Sequence, residues 1–439
     1  MKSSVEEISP VKKKLVVEIE AGEVDRKINK AYRDLGKQAR IPGFRPGKIP
    51  IGILEGRFGR EVMSDVTRDL VNETLPKALE ENDTFPLNMP TIENDLPRKG
   101  ESFRYTAVME VRPQFELGDY TGLEVDKERL SVGEEEVDKQ IEEIRRARGE
   151  MKPVEEDRGV REGDYAVFSY KGLENGEPVE GLESDNHMLR VGSGDFHPEF
   201  EKRLVGTRKG ESATIRVDFE EDYRDKNLAG KSVDFEIRLD DIKEMEMPAL
   251  DDAFAKGLGA NGVSTVEDLR EEVRKELVKR EEKRIDRDVK NRLMDRIAEG
   301  VEFALPESLV EQELESAVEN IRQNVSRSGS SLEQAGLDEA KLREELRPAS
   351  EARVKRMLIL GEVARLNGLE VTEEDVSNGF QEQAAGIGQE AGIIRRYYEA
   401  NNLLDSYKEK LLEEKTLNYL LEGAKVNEVD SDKISQKQS

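Results

Sequence analysis

Phe44, Arg45 and Lys48 carry the most suggestive chemistry in this 439-residue chain. They lie within residues 42–50, which also hold two glycines, Gly43 and Gly47, and three prolines. Proline lacks an amide donor and glycine favours turns, so this stretch can be neither helix nor central strand. It is a shaped loop tipped with an aromatic ring and two cations. The chemistry on offer is recognition: a ring to bury in a partner and cations to pair with phosphate or carboxylate. The same residues suit a connector whose Phe44 tucks into the core and whose charges are solvated. Spacing alone leaves both readings open. Covalent chemistry has less to work with. There is no cysteine, and the two histidines, His187 and His197, lie ten residues apart without the ligand pattern of a metal site or a Ser/His/Asp arrangement. No G-x-x-x-x-G-K-[ST] loop occurs, and Gly192-Ser193-Gly194 lacks the further glycine and helix of a dinucleotide site. No metal and no cofactor are expected.

The elements that must position the loop are legible on either side of it. Residues 14–19 read as a strand. Val24, Ile28, Ala31 and Leu35 mark one face of a helix over 23–38. After the loop, 51–58 suggest a short helix weakened by Gly52 and Gly56. Residues 61–74 make a clearer helix, with Pro76 kinking or restarting it. A strand over 103–109 completes a compact α+β domain. From 158 to 244 short β-rich runs alternate with turns. Val233, Phe235, Ile237 and Leu239 have a strand's period of two, and Asn175-Gly176 reads as a turn. Residues 264–300 suggest a long helix opened by a capping box of Ser264 and Glu267. Helices follow over 307–325, 342–366 (disturbed at Pro348), 373 onward behind a Thr372 cap, 393–400 and 403–424. Their narrow apolar stripes and charged backs suggest long arms in an open framework.

Composition limits the classes available. The chain is 38% charged, 36% hydrophobic and 5% aromatic, with net charge −27. That argues against general binding to nucleic acid or anionic membranes. Yet residues 26–60 hold ten cations against Asp34 and Glu55. A basic face on an acidic protein implies an anionic partner met by one end only. The first seven residues show no apolar signal region, and no run approaches the length of a membrane span.

Gly43-Phe44-Arg45-Pro46-Gly47-Lys48-Ile49-Pro50 resembles the ribosome-binding signature of the trigger factor family of bacterial chaperones. The middle segment resembles an FKBP-type prolyl isomerase domain. The matching residues are Tyr170-Lys171-Gly172, Val191-Gly192-Ser193-Gly194, Pro198-Glu199-Phe200-Glu201, Leu204, Gly206, Tyr223, Asn227-Leu228, Gly230 and Lys231. The loop, the β domain and the helical half stand in the family's order. The resemblance implies a multidomain α+β fold with an N-terminal α+β ribosome-binding domain, an inserted FKBP-like β domain and an extended all-α chaperone domain. The expected bounds are 1–115 for ribosome binding, 116–152 for a connector arm of the C-terminal body, 153–245 for the isomerase, 246–427 for the chaperone helices and 428–439 for a disordered tail.

The implied function is an ATP-independent cytoplasmic chaperone. It would dock beside the exit tunnel of the large ribosomal subunit, on ribosomal protein and rRNA, and keep nascent chains open for folding or export. No membrane partner is implied, and a weak homodimer off the ribosome is. Gly43, Phe44, Arg45, Gly47 and Lys48 would make the ribosome contact. Tyr170, Phe200, Tyr223 and Phe235 would line an apolar prolyl pocket, with Phe200 as its floor and His197 at its wall. Such a pocket needs no nucleophile: it favours the twisted X-Pro amide over the planar one across a barrier of about 20 kcal/mol. Val179, His197 and Glu199 depart from the family pattern, so weak isomerase activity and a wetter pocket are expected. The alternatives are a chain that is primarily a prolyl isomerase, and a non-chaperone scaffold binding an acidic partner through its basic face.

Overall fold

A computed structural model describes residues 1–45, 47–221 and 228–430. The chain divides into two compact units, Met1–Glu128 with Asp286–Ser439, and Arg129–Ile285.

The first unit opens with β1 (Lys2–Ser9), β2 (Lys12–Ile19), α1 (Ala21–Gln38), α2 (Ile51–Glu81), β3 (Thr91–Asn94) and β4 (Phe103–Glu110). The strands form an antiparallel sheet in the order β1-β2-β4-β3. Alternate residues Leu15, Val17 and Ile19 of β2 and Phe103, Tyr105, Ala107 and Met109 of β4 bury one face. Against it lie Val24, Ile28 and Tyr32 of α1 and Leu54, Val62, Val66 and Leu70 of α2. Strand β1 is polar along most of its length, as suits an edge, and periodicity did not reveal it.

Helix α2 corrects the expectation of two helices and a break at Pro76. It is one helix of 31 residues. Its buried residues run from Leu54 through Ala78, so both halves dock on the same sheet. That packing outweighs the roughly 1 kcal/mol by which each interior glycine disfavours helix. Just before the proline, the Thr74 hydroxyl reaches the Leu70 carbonyl at 2.7 Å and the Tyr105 hydroxyl at 2.9 Å.

The chain continues through β5 (Glu124–Glu128) and enters the second unit at α3 (Glu134–Ala147), β6 (Glu150–Pro153), β7 (Tyr165–Glu174), β8 (Glu177–Arg190), α4 (Pro198–Leu204), β9 (Ser212–Asp218), β10 (Ser232–Glu246) and α5 (Asp252–Gly257). Strands β7 and β8 form a hairpin closed by Asn175 and Gly176, both at positive φ, the conformation that two-residue hairpin loops require. The long strand β10 pairs with β7 on one edge and with β9 and β6 on the other. Gly172 is needed within β7, since a Cβ there would stand 2.9 Å from that of Leu182.

The expected connector, 116–152, holds β5, α3 and most of β6. Residues 150–153 are an edge strand of the β domain. Val137 and Ile141 of α3 pack on Ala255 of α5 and on Leu269, Val273 and Leu277 of α6 (Val266–Glu299). The box that opens α6 sits one residue later than expected. The Asp268 amide donates to the Thr265 hydroxyl at 3.1 Å, and the Thr265 amide donates to the Asp268 carboxylate at 2.9 Å.

The remaining helices are α7 (Glu307–Arg327), α8 (Glu339–Asn367), α9 (Glu373–Ile387), α10 (Ala391–Ala400) and α11 (Leu404–Glu422), followed by strand β11 (Lys425–Val429). Helix α8 runs unbroken through Pro348. Small separate cores replace one large one: Val289, Leu293, Ile359 and Val363 in one, and Val376, Phe380, Ile394 and Tyr407 in another. Arg343 and Arg347 bridge to Glu307, Glu311 and Glu315 along the α7–α8 pair. Strand β11 pairs in parallel with β5, from Lys425 on Glu124 to Val429 on Glu128. Residues 428 and 429, expected in the disordered tail, belong to this pair, and 431–439 lie outside the described residues.

Candidate functional site

The loop of Gly43 to Lys48 hangs between α1 and α2 from two buried pegs. Ile41 and Ile49 belong to the N-terminal core, and everything described between them is exposed. Phe44 is 40% exposed, so it does not tuck into the core as a connector residue would. Gly43 and Gly47 adopt φ of +88° and +81°, a region that only glycine enters freely. The Gly47 amide donates to the Gly36 carbonyl at 2.7 Å, tying the loop to the last turn of α1. Arg45 and Lys48 are exposed and have no ion-pair partner among the described residues. Ile51 and Ile53, at the start of α2, are exposed apolar residues as well. Sequence reasoning assigned these isoleucines only to a helix; their place directly after Pro50 was the available signal.

The β domain gathers aromatic rings. Phe200 of α4 and Phe235 of β10 are buried, with centroids 5.4 Å apart. Tyr170 of β7 stands 6.0 Å from Phe235, and burial pushes its hydroxyl above the ordinary tyrosine range. These three expected pocket residues thus come together, while Tyr223 lies outside the described residues. Period two puts Phe168 on the same face as Tyr170, and its ring reaches Phe200 at 5.6 Å. His197 is the N-cap of α4. Its Nδ1 accepts the Glu199 amide at 3.3 Å, and its ring lies edge-on to Phe219 at 5.4 Å. Glu199 is exposed in the first turn of α4, where a carboxylate favours the helix dipole.

Three contributors were missed. Phe196 contacts Phe200 at 4.3 Å, Phe235 at 5.6 Å and Tyr170 at 5.8 Å, so the described rings pack on one another. His187 lies edge-on to Phe168 and Tyr170. Glu201, buried in α4, accepts the amides of Gly192 at 2.7 Å and Phe196 at 3.0 Å. Its carboxylate thereby shapes the segment bearing Phe196. Among the described residues no group of histidine and carboxylate side chains could hold a metal ion.

An antiparallel sheet with a short helix laid over an aromatic cluster is the architecture of an FKBP-type domain. The family profile described as FKBP-type peptidyl-prolyl cis-trans isomerase matches residues 156–240. Profiles described as bacterial trigger factor protein and its C-terminus match 1–144 and 265–422. The trigger factor of Geobacter metallireducens is 36% identical, across 99% of this chain and 100% of its own. That of Geobacillus sp. is also 36% identical, across 94% and 96%. A solved chain described under "Promiscuous Substrate Recognition in Folding and Assembly Activities of the Trigger Factor Chaperone" shares the fold, with a TM-score of 0.50 and 23% identity over 96% of this chain and 99% of that one. The chain belongs to the trigger factor family. It is a folding chaperone carrying an FKBP-type domain, which sets aside the scaffold and the stand-alone enzyme as primary readings. No described helix is long and apolar enough to cross a membrane.

Proposed function

We propose that the chain works in the cytoplasm at the large ribosomal subunit, docking beside the exit tunnel through Phe44, Arg45 and Lys48. Ribosomal protein takes the ring, rRNA phosphate or acidic side chains take the cations, and Gly43 and Gly47 set the turn. The observation that carries this reading is a half-exposed Phe44 held out between two buried isoleucines, with Arg45 and Lys48 exposed and without an ion-pair partner among the described residues. Residues 1–115 form the docking domain and 246–427 the helices that hold nascent chains open for folding or export. Exposed apolar residues such as Ile387, Ile393 and Tyr397 offer weak holding points in a charged surround. Off the ribosome the chain forms a weak homodimer. Co-sedimentation with ribosomes tests the docking: Phe44→Ala/Arg45→Ala leaves the pellet, and equal pelleting of both proteins sinks the mechanism.

The aromatic cluster favours a second, accessory activity. Tyr170, Phe200 and Phe235, with Tyr223, form the prolyl site within residues 153–245, and isomerisation there is weak. Proline-limited refolding should be accelerated by the intact chain and not by Phe200→Ala. Identical rates with and without the protein would dismiss it.

A further inference from the structure

We propose that Asn261 is a site of spontaneous covalent modification: its carboxamide closes on the Gly262 amide and hydrolyses to aspartate or isoaspartate, which loosens the small core shared by α3, α5 and α6. An asparagine followed by glycine is the dipeptide most open to this chemistry, because glycine sets no side chain beside its own amide nitrogen. The chain holds four such pairs, at Asn175, Asn261, Asn367 and Asn378. The fold treats them differently.

Asn367 is pinned. Its side-chain nitrogen donates to the Val363 carbonyl at 2.7 Å and to the Tyr120 hydroxyl at 3.2 Å, and its oxygen accepts from the Tyr419 hydroxyl at 2.7 Å. Asn378 lies inside α9, where the following amide belongs to the helical ladder. Gly379 there backs onto Tyr407, and a Cβ would run into its hydroxyl. Asn175 is exposed, but the pairing of Glu174 with Glu177 fixes the backbone on both sides of it. Asn261 has none of these restraints. It is exposed between α5 and α6, in a turn closed by the Val263 amide donating to the Ala260 carbonyl at 3.2 Å. Gly262 sits at φ of +81°, and a Cβ there would meet nothing within 4 Å. Neither the Asn261 carboxamide nor the Gly262 amide has a hydrogen-bond partner among the described residues.

The reaction needs only water. The Gly262 nitrogen gives its proton to solvent base and attacks Cγ of Asn261. The carboxamide C–N bond breaks, ammonia leaves with a proton from water, and a succinimide ring closes. Water then opens the ring at either carbonyl, so the net change is carboxamide plus water to carboxylate plus ammonium. The isoaspartate product routes the main chain through Cβ and lengthens it by a carbon. Val263, two residues on, is buried with Val137, Ala255 and Leu269. The Val266 amide, at the start of α6, donates to the Asp252 carboxylate at 2.8 Å. A longer main chain in the turn breaks the Ala260–Val263 bond and draws Val263 out of that core.

The test ages the full chain in warm, mildly alkaline buffer, both folded and in guanidinium chloride, and maps it by trypsin digestion and mass spectrometry. Asn261 is the sole asparagine of the tryptic peptide 257–270, Asn175 falls in 172–190, and Asn367 and Asn378 share 366–395, where fragment ions separate them. In the folded protein Asn261 should convert to the acid several-fold faster than the other three, and in guanidinium the four rates should converge. Conversion at Asn175, Asn367 or Asn378 as fast as at Asn261 in the folded chain overturns the proposal, and so does an Asn261 that stays intact. Rates that differ in guanidinium as they do in the folded chain also overturn it, since the preference then owes nothing to the fold. Calorimetry reads the consequence. The aged protein should melt several degrees lower, while aged Asn261→Gln keeps its midpoint; equal losses in both refute the loosening of the core.

Discussion

Replacing Glu201 by glutamine should unsettle the β domain far more than its single atom of change suggests. The residue is 4% exposed; one carboxylate oxygen accepts the amides of Gly192 at 2.7 Å and Gly194 at 3.4 Å, and the other accepts that of Phe196 at 3.0 Å. An amide group keeps one acceptor and turns a donor toward the other N–H. Leaving a buried donor unsatisfied costs roughly 1–3 kcal/mol, and loss of the charge weakens the surviving bond. Gly192 is exposed, so water takes over part of its loss, and about 2 kcal/mol is expected overall. For a domain of about 100 residues each kcal/mol moves the midpoint by about 4–8 °C, giving a drop of about 8–16 °C. Calorimetry of the full chain should show one transition moving by that amount. Glu199→Gln is the control: exposed and only two residues away, it should change stability by no more than about 0.5 kcal/mol. If the two variants melt within about 2 °C of each other, the carboxylate does not shape the segment bearing Phe196.

Three further outcomes are expected. Burial opposes ionisation of Asp164, but hydrogen bonds from Arg158 and the Arg161 amide outweigh it and hold the carboxyl below its ordinary 3.8. Its stabilising contribution is complete above that value and lost as pH falls through the depressed one, while Arg158→Met strands the buried carboxylate and should remove about 3–5 kcal/mol in urea unfolding. Lys415, with the Thr372 amide and hydroxyl, lowers Asp375 to about 2, so amide protection at the start of α9 should persist at pH 4 and fade only toward pH 2, and earlier fraying would contradict the assignment. Gly47→Ala forces a side chain into φ of +81° and should cost about 1–2 kcal/mol while weakening ribosome pelleting; unchanged binding would mean that the turn is not required.

What the sequence made legible was local. The Asn175-Gly176 hairpin, the period-two strand around Phe235 and the glycine-proline loop each carry their signal within a few residues, because turn chemistry and strand alternation are set by neighbours. The misses depend on contacts that distant residues decide. Helix α2 runs through Pro76 because the sheet beneath it rewards both halves. Phe196 has no periodic position, and it joins the pocket because a buried carboxylate on the next helix orders the segment that carries it. His187 read as a lone histidine until the hairpin register brought it opposite Phe168. Of the β5–β11 pair only residues 123–125 read as a short extended piece; the pairing itself had no local signal, since neither short strand has the apolar run of a buried one.

That parallel pair also sets a timetable. Strand β5 ends at Glu128 and its partner begins at Lys425, roughly 300 residues later. At synthesis rates of about 5–20 residues per second, β5 waits some 15–60 s for the strand that completes its backbone pairing. Throughout that interval the chain is itself an unfinished polypeptide with an open strand edge, in the same condition as the clients it serves. The N-terminal sheet needs nothing beyond Glu110 for its own pairing, so the docking loop is framed long before the body that it will anchor.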